Sequence, residues 1–188
     1  MHVDPQNAPQ ARKDLFACAD RENPFSTLRE ALVRADVFIG VSSGNILSGT
    51  DIKRMKKNRI VFALANPDPE INPYEAIACC RIFATGRSDF PNQVNNALAF
   101  PGIFRGALNV RAKQINDEMK LAASEALANL ISKEQLNEEY ILPSIFDKRV
   151  VSVVAKAVEE AAYKTGVAQK ELFDKEDSRV FTEAVDLP

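Results

Sequence analysis

The sequence predicts an α/β fold: part of a Rossmann-like, doubly wound parallel sheet with three recognisable strands, followed by a helical C-terminal segment. Three apolar runs predict the strands: Asp36-Val37-Phe38-Ile39-Gly40-Val41, Ile60-Val61-Phe62-Ala63-Leu64-Ala65 and Arg81-Ile82-Phe83-Ala84. Each run empties into a polar loop, and short helical stretches join one run to the next, which is the spacing of βαβαβ units. Past residue 97 the pattern is helical throughout. In an open parallel sheet the loops at the carboxyl ends of the strands share one edge, and ligands bind in the crevice outside it.

Taken in order, residues 1–25 carry Pro5, Pro9 and Pro24 among polar residues, with one helix-compatible piece at 10–19. Ser26-Thr27-Leu28-Arg29-Glu30 then offers a hydroxyl cap and an acidic first turn, which predicts a short helix through Arg34 with Leu28, Ala31 and Leu32 on its apolar side. The 36–41 strand is apolar at alternate and intervening positions alike, as expected of a strand covered on both faces. Thr50-Asp51 is read as the cap of a second helix ending near Lys57. Its basic side, Lys53, Arg54, Lys56 and Lys57, is either a solvated face or an anion site. Pro73 opens a third short helix, proline being at ease in a first turn.

Downstream, a helix over 97–108 interrupted at Phe100-Pro101-Gly102, a long one over 117–130, a short one over 133–139 and an amphipathic one over 149–163, closed by Gly166, are expected to cover the sheet. The Phe100-Pro101-Gly102 interruption reads as a kink. The organisation is thus an N-terminal segment over 1–25, a sheet domain with its covering helices over 26–168, and an extended tail over 169–188.

Composition narrows the function. With 188 residues, 46% of them hydrophobic, the chain sustains a real core. A formal charge of −2, from 24 basic and 26 acidic residues spread along the length, gives no field for nucleic acid or for an anionic membrane. No apolar run approaches the roughly 20 residues of a bilayer span, and the start has no signal pattern, so a cytoplasmic protein is expected. Cys18, Cys79 and Cys80 make neither a disulfide framework nor a Cys-x-x-Cys metal pair, and read as reduced core residues. His2 is the one histidine, which leaves no material for a histidine triad or a zinc site.

The stretch with the anatomy of a functional loop is Ala84-Thr85-Gly86-Arg87-Ser88-Asp89-Phe90-Pro91-Asn92-Gln93-Val94-Asn95-Asn96. Asn92, Gln93, Asn95 and Asn96 supply neutral donors and acceptors that orient a polar ligand without adding charge. Two readings stand beside each other at several positions. Asn66 is a turn residue held extended by Pro67, or a ligand contact. Asn95 and Asn96 cap the following helix, or one caps while the other faces ligand. Arg87 and Asp89 are a surface ion pair, or they brace the amide loop.

Three motifs in order resemble the cofactor domain of the malic enzyme family: Ile60-Val61-Phe62-Ala63-Leu64-Ala65-Asn66-Pro67, Ala84-Thr85-Gly86-Arg87-Ser88-Asp89, and Asn92-Gln93-Val94-Asn95-Asn96-Ala97-Leu98-Ala99-Phe100-Pro101-Gly102. The resemblance covers roughly residues 26–168, and its wording is similar to the shorter, bacterial-type branch. It implies oxidative decarboxylation of malate to pyruvate and CO2 with NAD or NADP and a divalent metal, Mg2+ or Mn2+. Carried over residue by residue, it implies that Asn66 meets both nicotinamide and substrate, that Asn95 lies on the cofactor side and Asn96 on the substrate carboxylate, and that Ser42 and Ser43 pass the cofactor's ribose and phosphate. The work implied for these residues is positioning.

The departures are as specific as the match. The family's catalytic tyrosine and lysine, its acidic metal ligands and its Gly-x-Gly-x-x-Gly loop precede the matched region, and residues 1–25 hold none of them. Tyr74, Tyr140 and Tyr163 lie outside the tyrosine's motif. The expectation is therefore the C-terminal part of a malic enzyme's NAD(P)-binding domain, with no catalytic residue and no metal ligand of its own, inactive alone. The NAD or NADP choice is read after the second strand of such a fold, outside the match.

Two other classes compete: a non-catalytic interaction or regulatory module that keeps the fold, and a Rossmann dehydrogenase of the amino-acid or shikimate type, which lacks the Asn-Gln-Val-Asn-Asn wording. In strand order 3-2-1-4-5-6, the 36–41 strand pairs with strand 1. Left as an edge without protecting proline or lysine, it is expected to drive homo-oligomer formation, a dimer, or to be covered by residues 1–25.

Overall fold

The computed structural model describes residues 25–170; the 10–19 helix and most of the predicted tail lie outside them. The elements run α1 (Leu28–Leu32), β1 (Val37–Gly40), α2 (Gly49–Ile52), β2 (Ile60–Ala63), α3 (Pro73–Ile77), β3 (Ile82–Thr85), a 3-10 turn (Asn96–Leu98), α4 (Phe100–Asn109), α5 (Asp117–Ala128) and α6 (Arg149–Lys164). The three strands form one sheet in the order β1-β2-β3, with parallel pairing throughout. β1 is thus an edge among the described residues, and the α/β expectation holds.

Local chemistry fixes the helix starts. The Thr27 hydroxyl accepts from the Glu30 N–H at 3.2 Å and caps α1. At α2 the cap is Ser48 rather than Thr50-Asp51: the Asp51 carboxylate accepts from the Ser48 N–H at 3.0 Å and from its hydroxyl at 2.7 Å. Burial pushes the Asp51 carboxyl up, but the Ser48 bonds and the Arg29 guanidinium 2.9 Å away outweigh it and hold the group below the usual aspartate range. α2 stops at Ile52 and not near Lys57, because Arg54 and Met55 donate three residues back, to Asp51 and Ile52, and the chain tightens into a turn.

Two cores result. Phe38, Val61 and Phe83 are register neighbours on one sheet face, where they join Leu32, Ile52, Ile71 and Ala76. The opposite face is open at β1, with Ile39 65% exposed, so the strand expected to be covered on both faces is covered on one among the described residues. The second core lies between α4, α5 and α6, around Met119, Val154 and Val158.

Pro101 sits in the first turn of α4, so Phe100-Pro101-Gly102 is a helix start and not a kink: a first-turn residue has no intrahelical partner for its missing N–H. Gly102 and Gly106 let α4 lie against α6. A Cβ on Gly102 would meet the Val154 Cβ at 2.6 Å, and one on Gly106 would meet the Ala155 carbonyl oxygen at 2.4 Å.

The helix expected over 133–139 is a run of turns instead. Asn137 accepts from the Glu139 N–H and donates to the Gln135 carbonyl, the local side-chain bonding that competes with helix. α6 ends as its sequence predicts, with Gly166 at φ +70° and the Val167 N–H returning to the Ala162 carbonyl. No helix among the described residues is long and apolar enough to cross a membrane.

The α4–α6 contact is testable. Gly106→Ala drives a methyl into a backbone carbonyl that cannot rotate aside, and is expected to cost about 1–3 kcal/mol of stability, the usual range for overpacking. Chemical denaturation checks it; an unchanged midpoint refutes the close approach.

Candidate functional site

The carboxyl ends of β2 and β3 open into a cleft of about 290 Å³ lined by Leu64, Asn66, Gly86, Val94, Asn95 and Asn96. Its floor is built by the chain folding back on β3: the Val94 N–H donates to the Thr85 carbonyl at 2.8 Å, and Gln93 pairs alongside Thr85. Gly86 has no side chain to fill the space next to it. A Cβ there would lie 3.6 Å from the Asn66 Oδ1, so the carboxamide rests against bare backbone.

The amides of the 92–96 stretch divide by what they already bond. Asn92 is buried and fully used, its Nδ2 donating to the Phe83 carbonyl at 3.0 Å and the Glu138 carbonyl at 2.8 Å, its Oδ1 accepting from the Ile141 N–H at 2.9 Å. It is a staple between β3 and the 137–141 turns. Gln93 makes one long bond, to the Gly86 carbonyl at 3.4 Å. The Asn95 Oδ1 accepts from the Ala97 N–H at 2.9 Å and caps the 3-10 turn. The side chains of Asn66 and Asn96 make no hydrogen bond among the described residues, and both line the cleft. Two carboxamides there, four groups in all, are free for a ligand.

Ser42 and Ser43 lie on the loop after β1, exposed and outside the cleft lining. The Ser42 N–H donates at 2.9 Å to Glu70, a buried acid that sequence reasoning passed over. Two signals pointed to it: a glycine, Gly40, at the end of an otherwise apolar strand marks a close approach, and Glu70 closes the rigid run Asn66-Pro67-Asp68-Pro69.

Arg87 and Asp89 form a bidentate pair at 2.9 and 2.6 Å, with the guanidinium 5.1 Å from the centre of the Phe90 ring. The hydrogen bonds raise the Arg87 pKa and lower that of Asp89. Both are exposed and neither lines the cleft, so the pair closes its own loop.

Cys79 and Cys80 are free and half-buried. Burial, and then the neighbouring Cys79, push the Cys80 thiol up to about 11, which keeps it protonated and unreactive at neutral pH. Among the described residues no group of three or more His, Cys, Asp or Glu side chains is arranged to hold a metal ion.

Residues 10–163 match the family model of the malic enzyme NAD-binding domain. The chain belongs to this family. It is 55% identical over 150 residues to the NAD-dependent malic enzyme of Geobacillus stearothermophilus, a match covering 80% of this chain and 31% of that protein. To the NADP-dependent malic enzyme of Rhizobium meliloti it is 50% identical, over 81% of this chain and 22% of that protein. The crystal structure of a malic enzyme from Pyrococcus horikoshii superposes with a TM-score of 0.72 at 48% identity, over 77% of this chain and 34% of that one. The chain thus spans well under half the length of the malic enzymes it matches, and the Rossmann-like fold is common to them.

The division among the amides predicts a division of effects. Asn92→Ala leaves the Ile141 N–H and two carbonyls without their partner and is expected to cost about 2–4 kcal/mol of stability, one to a few unsatisfied groups' worth. Asn96→Ala is expected to stay within about 0.5 kcal/mol of wild type, as a surface change does. Thermal or urea unfolding of the two variants checks this; equal losses would mean that Asn96 is structural too.

Proposed function

We propose that this chain is the nicotinamide-facing part of a malic enzyme's dinucleotide domain, serving oxidative decarboxylation of malate to pyruvate and CO2 with NAD or NADP. The observation that carries the reading is the cleft at the carboxyl ends of β2 and β3, the ligand edge of such a sheet, where Asn66 and Asn96 hold unbonded carboxamides against apolar walls from Leu64 and Val94. The relatives' names support a nicotinamide dinucleotide: one is NAD-dependent, another NADP-dependent.

The bound dinucleotide supplies the hydride acceptor. The chain's own residues position the reactants. Asn66, beside Gly86, reaches both the nicotinamide and malate. Asn96 donates through Nδ2 to a malate carboxylate. Asn95, its Oδ1 engaged in the cap, has Nδ2 left for the cofactor side, and Ser42 and Ser43 offer hydroxyls to the ribose and phosphate. Leu64 and Val94 exclude water from the amide contacts, which strengthens them. Near-attack geometry of this kind accounts for a large part of a hydride-transfer barrier.

The divalent metal, Mg2+ or Mn2+, does not fit the described residues: the cleft is lined by carboxamides and apolar groups, without a carboxylate. Under this reading its ligands and the proton acceptor belong to other parts of the complete enzyme. For this chain by itself, a homodimer through the edge of β1 belongs to the same proposal, with Val37, Ile39 and Val41, 45–77% exposed, as its apolar contact.

Two outcomes follow. The 188-residue chain given malate, Mn2+ and NAD or NADP is expected to form no reduced nicotinamide above a heat-killed control, because the cleft offers no general base and the described residues no metal site; turnover would overturn the division of labour. In the complete enzyme that carries this domain, Asn66→Ala and Asn96→Ala are each expected to lower kcat/KM ten- to a hundred-fold, about 1.5–3 kcal/mol for a bond to a charged group. Steady-state kinetics with circular dichroism decide, and wild-type kcat/KM in either variant would reduce that asparagine to a turn residue.

A further inference from the structure

Glu70 is fully buried, and the mechanism above does not use it. Its carboxylate spans two loops: Oε1 accepts from the Ser42 N–H at 2.9 Å and Oε2 from the Ala65 N–H at 3.1 Å. These two donors are not arbitrary. The β1–β2 ladder ends where the Leu64 N–H donates to the Gly40 carbonyl at 3.0 Å. Ser42 and Ala65 supply donors just beyond that point, where the two strands leave each other to open the crevice.

The fit is close on every side. A Cβ on Gly40 would lie 2.4 Å from the Glu70 Cδ, so the carboxylate occupies the space a side chain would take. The backbone continues the join: the Asn45 N–H donates to the Pro69 carbonyl and the Leu47 N–H to the Glu70 carbonyl, both at 2.9 Å. A Cβ on Gly44 would lie 2.7 Å from the Asp68 carbonyl oxygen. One acid thus sets how far apart the β1 loop, with Ser42 and Ser43, and the β2 loop, with Asn66, are held.

We propose that Glu70 is a positioning residue for the dinucleotide: its carboxylate fixes the separation of these two loops at the width the cofactor bridges. The inference rests on the functional reading above. An acid is required because both donors need an acceptor, and a neutral carboxamide at the same position offers one oxygen and turns its NH2 against the second N–H.

The test uses the complete enzyme with Glu70→Gln and, as a second route to the same displacement, Gly40→Ala, which keeps the acid but pushes it aside. Titration with NADH and NADPH, followed by nucleotide fluorescence well below the melting temperature, is expected to show a rise in Kd of about tenfold in both variants, the loss of one charge-assisted bond. At saturating dinucleotide kcat is expected to stay within about threefold of wild type, because bound cofactor reimposes the loop separation and the reacting groups are untouched.

Hydrogen exchange of the Ser42 and Ala65 amides is expected to quicken while the Val61 and Phe62 amides hold. A purely structural role gives a lower melting temperature with wild-type Kd in the folded variants, and that result overturns the proposal. Where Glu70→Gln does not fold, Gly40→Ala decides in the same terms. Wild-type enzyme that binds neither dinucleotide overturns the functional reading and this inference together; wild-type and variants that bind equally overturn the inference alone.

Discussion

Beyond the Leu64 N–H, which donates to the Gly40 carbonyl, β1 and β2 separate, and every backbone donor past that point needs an acceptor outside the ladder. A parallel sheet that opens a crevice at its carboxyl edge always meets this requirement, since the divergence that makes room for a ligand also ends the pairing of the strands. Here one buried carboxylate meets it twice. Its two bonds are charge-assisted and stronger than their neutral counterparts, and removing the acid would leave the buried Ala65 donor unpaired, a loss of about 1–3 kcal/mol, and the more exposed Ser42 donor without its acceptor. The glycine at the end of β1 follows from the same demand, because any side chain on Gly40 would occupy the carboxylate's place.

The same rule sorts the asparagines. Asn92, at φ 55°, and Asn95 satisfy backbone groups that the turns around β3 leave without partners, so they are consumed by the fold. Asn66 stands directly before Pro67 at the start of the β2 loop and Asn96 sits within the 3-10 turn that Asn95 caps; neither side chain has a backbone group to serve among the described residues. Availability for a ligand is what remains once the local backbone has been satisfied. An amide-rich loop is therefore not uniformly a binding loop.

How much of this was legible follows from the range over which each signal acts. The strands, their parallel order and the helix starts at Thr27 and Pro73 are set by contiguous residues and read directly from the sequence, as are the two loops that carry Asn66 and the Asn95-Asn96 pair. The 133–139 segment was misread because helix propensity there is outweighed by the Asx bonding of Asn137. Phe100-Pro101-Gly102 was misread as a kink because two separate elements, a 3-10 turn and α4, adjoin without a break in apolar pattern. Glu70 was missed because its partners, Ser42 and Ala65, are 28 and 5 residues away in sequence and are backbone groups, which carry no residue-type signal. The traces it left are the glycine opposite it and the proline-fixed run that it closes.

The lining of the cleft also limits what these residues do. Leu64, Asn66, Gly86, Val94, Asn95 and Asn96 include no side chain that titrates near neutral pH. Carboxamides donate and accept hydrogen bonds at any pH and hold a ligand with the same geometry from acid to alkaline conditions, but they do not take up a proton from a malate hydroxyl. Under the proposed function, positioning and proton transfer are thus carried by different parts of the enzyme: the amide cleft sets the distance and angle for hydride transfer, and the pH dependence of the reaction originates in groups that face the cleft from across the ligand. Such a division lets the cleft be lined with neutral residues whose solvation costs little to give up when the ligand arrives.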